Sequence, residues 1–119
     1  MITVALAALL LASPGAAASR PGTPAQDPAL RARILGAASR IFRAARYCTL
    51  ATNGRDGQPE VRIIDPIEPS GPGFELYFAT NPRSRKVAQL RRDPRASLLC
   101  FDAAGKASVS LAGRAARVS

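Results

Sequence analysis

Residues 74–95 read Phe-Glu-Leu-Tyr-Phe-Ala-Thr-Asn-Pro-Arg-Ser-Arg-Lys-Val-Ala-Gln-Leu-Arg-Arg-Asp-Pro-Arg, and the hydrophobic period changes in their middle. Up to Thr80, apolar and polar residues alternate around Tyr77 and Phe78, as in a half-buried strand. From Asn81 the spacing is helical. Asn81 suits an N-cap and Pro82 a first helical residue, Val87 and Leu90 share a face, and Asp93-Pro94 ends the segment. A strand therefore feeds a short helix. Ser84, Arg85 and Lys86 fall in the first helical turn, where cations oppose the helix dipole. A phosphate bound there would satisfy the free amides, the hydroxyl and the charges together, so the junction reads as a phosphate site. The plainer alternative is a solvated basic helix face.

Working outward, residues 47–53 read as a first strand, 53–57 as a glycine-containing turn and Glu60 to Ile67 as a second strand, which together make a hairpin. Pro59 and Pro66 confine the second strand to an edge, its ends or a bulge, because proline donates nothing to a ladder. Arg62 stands between Val61 and Ile63-Ile64, where an arginine either projects to solvent or meets an anion. Residues 66–73 hold three prolines and two glycines and read as a loop. After the third strand and its helix come a fourth strand, Ala96 to Asp102, a turn at 102–106, and a fifth strand, Ala107 to Val118. Gly113 marks a bulge or a close approach in the last of these. Before the hairpin, Asp27-Pro28 opens a helix in which Leu30, Ile34, Ala38, Ile41 and Ala45 recur at helical spacing. Its arginines lie outward, a basic face that could touch membrane or nucleic acid, and the plainer reading is an ordinary packing helix. Five strands with two helices predict a small α+β barrel.

Residues 1–18 have the outline of a signal peptide: an apolar run, Pro14-Gly15, and small residues that place cleavage after Ala18. The run is too short for a stable membrane span, and its n-region lacks Lys and Arg. Export to the periplasm or exterior is expected if the leader is real, and a cytoplasmic location otherwise. Residues 19–26 read as a linker and 27–119 as the folded domain.

The chain has 119 residues, enough for one domain with a modest core. Apolar residues make up 47% of it, but many are alanines and tryptophan is absent, so burial against a second copy is expected to help. The formal charge of +9, from 17 basic and 8 acidic residues, favours anionic partners without choosing among them. Histidine is absent, which excludes a Ser-His-Asp triad, a His-Glu-x-x-His zinc site and histidine-ligated haem within the chain. Cys48 and Cys100 lie in apolar strand-like runs and read as small core residues, with a disulfide open as the alternative.

The run Thr-Asn-Pro-Arg-Ser-Arg-Lys-Val-Ala-Gln-Leu at 80–90, with Asp-Pro-Arg-Ala-Ser-Leu-Leu-Cys-Phe at 93–101, resembles the FMN-binding split β-barrel family typified by pyridoxamine 5'-phosphate oxidase. The resemblance extends back through Tyr47–Thr52, Gly57-Gln58-Pro59 and Arg62-Ile63-Ile64, and forward to Leu111–Ala115. It implies a small split barrel of five to six antiparallel strands, with an N-terminal helix and a short helix after the third strand. It implies that Arg62, Ser84, Arg85 and Lys86 hold the phosphate of FMN, that Ile63 and Ile64 present backbone to the flavin, and that Thr80 offers a hydroxyl near the ring. None of these is an acid–base catalyst. It further implies a homodimer with flavin at its interface and an FMN-dependent oxidoreductase of unknown substrate, the alternative being a non-catalytic binder of flavin, the deazaflavin F420 or another phosphate ester. No metal and no nucleic-acid partner is expected. Ile67 stands where the oxidase has a lysine and Ser108 where it has a glutamine, and the family's C-terminal, substrate-binding part lies beyond Ser119. Pyridoxamine phosphate turnover is therefore not assigned.

Overall fold

The computed structural model describes residues 2–7, 27–67 and 75–118, the first of these by backbone alone. Its elements are β1 (Ile2–Ala7), α1 (Pro28–Ala45), β2 (Cys48–Asn53), β3 (Pro59–Ile64), β4 (Glu75–Thr80), α2 (Arg85–Arg92), β5 (Arg95–Asp102) and β6 (Ala107–Val118). The strands form one antiparallel sheet in the order β3-β2-β5-β6-β1-β4. Its two ends meet. Ile67, just past β3, bridges Tyr77 of β4, with the Ile67 amide donating to the Tyr77 carbonyl at 2.6 Å. The sheet thus curls into a barrel whose β3–β4 seam is joined, among the described residues, by that isolated bridge.

The alternation of apolar and polar residues decides which face turns inward. Along β5, Ala96, Leu98 and Cys100 are buried while Ser97, Leu99 and Phe101 are exposed; along β2, Cys48, Leu50 and Thr52 are buried. The core gathers Cys48, Leu50, Ala96, Leu98 and Cys100 with Ile64, Leu76, Phe78, Leu111 and Ala115, and α1 and α2 add Ala38, Phe42 and Leu90. Pro59 begins β3, an edge strand in the sheet order, and Pro66 lies past its end at Ile64, both positions that proline tolerates. The hairpin turns where Gly57 takes φ 83°, a left-handed conformation that a residue without Cβ adopts freely.

Several sequence expectations shift. In α1, Asp27 caps as expected, its Oδ1 accepting from the Ala29 amide at 3.0 Å. Its buried stripe, however, is Leu35, Ala38, Phe42 and Ala45, and Ile34 remains 44% exposed. The aromatic volume of Phe42 reaches deepest against β5 and β6, and the helix rolls to bury it. Asn81 does not cap α2. Its side chain accepts from the Arg83 amide at 2.9 Å and its carbonyl accepts from the Ser84 amide at 3.0 Å, which makes a turn; Ser84 is the residue at the N-cap. Gly113 makes no bulge, since β6 pairs with β5 in unbroken register from Arg95↔Arg114 to Asp102↔Ala107.

Cys48 and Cys100 face one another directly on β2 and β5 with Cα atoms 4.4 Å apart, and they form a disulfide. They are also core residues, exposed by no more than 2%. The first residues of the expected leader form β1, which pairs with β4 on one side and β6 on the other. The rest of the leader, the linker at 19–26, residues 68–73 of the proline-rich loop and Phe74 lie outside the described residues.

Asp93 ties the α2–β5 connection to β2. Its carboxylate accepts from Arg95 Nη2 at 2.8 Å, Arg95 Nε at 3.0 Å and Asn53 Nδ2 at 2.9 Å. The hydrogen bonds from Arg95 and Asn53 hold this carboxyl well below the usual carboxylate range. A depressed folded-state pKa contributes stability above the ordinary value of 3.8, lost as pH falls through the depressed value. Asp93→Asn is therefore expected to be less stable at neutral pH and to lose less stability on acidification from about pH 5 downward, as circular dichroism at stepped pH would show.

Candidate functional site

β3 and α2 bring the predicted phosphate residues together. Arg62 shares the inner face of β3 with Glu60 and the buried Ile64, so its guanidinium turns into the barrel mouth instead of solvent. There Nη1 donates to Thr52 Oγ1 at 2.5 Å and to the Glu60 carbonyl at 3.1 Å, while Nη2 donates to Gln89 Oε1 at 3.0 Å. Thr52 Oγ1 in turn donates to Gln89 Oε1 at 2.6 Å, and Gln89 Nε2 donates to Glu60 Oε2 at 2.8 Å. Thr52 and Gln89 are both buried. A planar guanidinium held at two nitrogens has its orientation set before any ligand arrives.

Arg85 and Lys86 approach from the first turn of α2, which contains no acidic residue. Arg85 Nη2 lies 3.6 Å from Glu60 Oε2, the same oxygen that stands 3.5 Å from Arg62 Nη2. Burial lowers the pKa of Arg62, Glu60 opposes that shift and Arg85 adds to it. Burial and then the charge of Arg62 lower the pKa of Lys86. Crowded cations of this kind are relieved by an anion, which would push both values back up.

Ser84 supplies the sharpest sign. It occupies the N-cap of α2, yet its side chain makes no capping hydrogen bond, and Oγ is buried without a partner. An unsatisfied buried hydroxyl costs about 1–3 kcal/mol, and natural proteins rarely retain one without a use. These residues fit a phosphate.

The flavin-ring residues are arranged less completely. Ile63 is exposed and Ile64 buried, on opposite faces of β3. The 4.4 Å separation of Cys48 and Cys100 marks a non-hydrogen-bonded pair, so the Cys48 peptide groups turn toward β3 and engage Ile64. By alternation the peptide groups of Ile63 face the seam, where no described strand pairs with them, whereas those of Ile64 are used in the ladder. Counted back from the Ile67–Tyr77 bridge, Thr80 falls opposite Ile64 across the seam. It makes no bond to the Arg62 network and lines, with Ala79 to Arg83, a shallow cavity of about 390 Å³. Ile67 contributes its backbone to the bridge, and Ser108 lies exposed opposite Phe101 on the outer face.

Sequence reasoning missed Thr52, Glu60 and Gln89. The available signal was Gln89, a polar residue placed next to Leu90 on the buried side of α2. Among the described residues, no group of acidic or cysteine side chains could hold a metal ion.

Among the described residues, a six-stranded antiparallel barrel, flanked by two helices and joined at one seam by a single bridge, is a split β-barrel of the α+β class. The family model described as pyridoxamine 5'-phosphate oxidase matches residues 34–119, and the chain belongs to that family. Among curated proteins it is 42% identical over 71 residues to the pyridoxine/pyridoxamine 5'-phosphate oxidase of Bordetella petrii, covering 60% of this chain and 33% of that one. It is 39% identical to the enzyme of the same name from Cyanothece sp., covering 60% and 32%. The chain thus spans about a third of the length of these relatives. Among solved structures, a pyridoxamine 5'-phosphate oxidase-related, FMN-binding protein of Nostoc punctiforme superposes with TM-score 0.61 at 26% identity, over 66% of this chain and 44% of that one. A conserved hypothetical protein of Mycobacterium tuberculosis gives 0.56 at 32% identity, over 66% and 49%.

Proposed function

We propose that this chain binds FMN, with the phosphate on Arg62, Ser84, Arg85 and Lys86 and the ring along the seam at Ile63, Ile64 and Thr80, and serves as a flavin-dependent oxidoreductase. The observation that carries this reading is the buried, unpartnered Ser84 hydroxyl beside three converging cations. The FMN-binding relative of Nostoc punctiforme supports it. Bound flavin would supply hydride- and electron-transfer chemistry. The chain's own residues then hold the phosphate by charge-assisted hydrogen bonds and offer the Ile63 peptide groups to the ring. Arg62, preset by Thr52 and Gln89, needs little reorganisation on binding.

The test is spectroscopic. Purified protein should be yellow or, if isolated without cofactor, should quench the fluorescence of added FMN at micromolar concentration. Colourless protein that leaves FMN fluorescence unchanged would remove the assignment. Protein that binds FMN but is never reduced by any donor tried is a binder and not an oxidoreductase.

A homodimer belongs to the same proposal. The outer sheet face exposes Val61, Ile63, Leu99 and Phe101, and register places Ile63, Thr49 and Leu99 in one row across three strands. An apolar face of this kind, beside the seam, suits burial against a second copy. Export is also retained as a proposal, favoured by the apolar N-terminal run and by the disulfide, which persists in oxidising compartments. Cleavage after Ala18 would remove β1, so the mass of the mature protein decides this point.

A further inference from the structure

We propose that Glu60 is a built-in counter-ion of the anion site, holding the place of a phosphate monoester until one displaces it. This rests on the phosphate reading above and deepens it. Glu60 and Arg62 are two residues apart on β3 and share its inner face. One carboxylate oxygen, Oε2, is bound firmly to Gln89 Nε2 at 2.8 Å but stands 3.5 Å from Arg62 and 3.6 Å from Arg85. Both ion-pair distances exceed a hydrogen bond, and the Arg85 side chain is 86% exposed, so the Arg85 contact exchanges readily while the half-buried Arg62 contact is long enough to be replaced. Gln89 is the tether, and the arginines are what Glu60 guards.

The carboxylate fills the site only in part. Ser84 Oγ has no partner, and Lys86 makes no ion pair among the described residues. A phosphate monoester brings three terminal oxygens and a second charge, enough to meet Arg62, Arg85, Lys86 and the Ser84 hydroxyl at once. A ligand carboxylate would only repeat what Glu60 already does. The site therefore selects phosphate monoesters over carboxylates, because only the former gain contacts by the exchange.

The experiment compares the unmodified protein with Glu60→Gln, which retains an oxygen for Gln89 and removes the charge. FMN and riboflavin, which lacks the phosphate, are titrated by fluorescence, and inorganic phosphate by thermal shift. Glu60→Gln should bind FMN about fivefold to tenfold more tightly, with riboflavin unchanged, because the competing state is removed. Equal or weaker FMN binding, or an equal gain for riboflavin, overturns the assignment. If neither protein binds FMN, Glu60→Gln stabilised at lower phosphate concentration keeps the counter-ion role while the flavin reading falls; equal phosphate dependence removes the role as well. If Glu60→Gln does not fold, the Glu60 Cδ resonance of the unmodified protein answers directly. It should move on phosphate addition, and a fixed resonance alongside phosphate binding overturns the proposal.

Discussion

Replacing Arg62 with alanine is expected to weaken FMN binding about a hundredfold and Lys86→Ala about tenfold, since each hydrogen bond to a charged group contributes on the order of 1.5–3 kcal/mol. Arg62 has the larger effect because it is oriented in advance. Thr52 and Gln89 grip its two terminal nitrogens, whereas Lys86 is a point charge on a flexible stem. Arg62→Lys should fall near the alanine variant, because one ammonium cannot span both partners and still face a ligand. Titrating FMN and riboflavin against the same variants checks the assignment. Phosphate-holding residues should change only the FMN curve, and a parallel loss for riboflavin would mean that the barrel mouth had been disrupted.

Removing the Cys48–Cys100 bridge is expected to lower stability by about 4 kcal/mol, the loop-closure value for residues 52 apart in sequence. The double variant Cys48→Ala/Cys100→Ala, compared with the oxidised protein by urea unfolding, measures this. Much of a small domain's total stability lies in that range, so the variant should unfold at far lower denaturant. The bridge joins β2 to β5, and β2 carries Thr52 beside the strand of Arg62. FMN affinity of the folded fraction should change little, since neither cysteine touches the cation cluster. Identical midpoints with and without reductant would show that the bridge does not form in solution.

The strand-to-helix transition at 74–95, the hairpin around Gly57 and the edge position of β3 were all legible in the sequence. Each depends on neighbours within a few residues: alternation, a turn glycine, and prolines that cannot donate. The cationic cluster proposed to hold phosphate was legible for the same reason, as Ser84, Arg85 and Lys86 are consecutive and Arg62 interrupts an apolar run. The true N-cap of α2 was not, because Asn81 and Ser84 are both good caps and the turn between them is chosen by how β4 meets the helix. The roll of α1 onto Phe42 was hidden likewise, since Ile34 and Leu35 offer nearly equal apolar stripes until a sheet is present to receive one.

The amino-acid sequence by itself determined the elements from α1 onward, the family and the local basic motif, because short-range periodicity and capping chemistry are written in adjacent residues. Only the tertiary structure decided that Thr52, Glu60 and Gln89, from β2, β3 and α2, meet around Arg62, that Cys48 stands opposite Cys100, and that Ile2–Ala7 occupies the strand position between β4 and β6. Those contacts join residues far apart along the chain. They are set by strand register and barrel closure, which no single segment encodes alone.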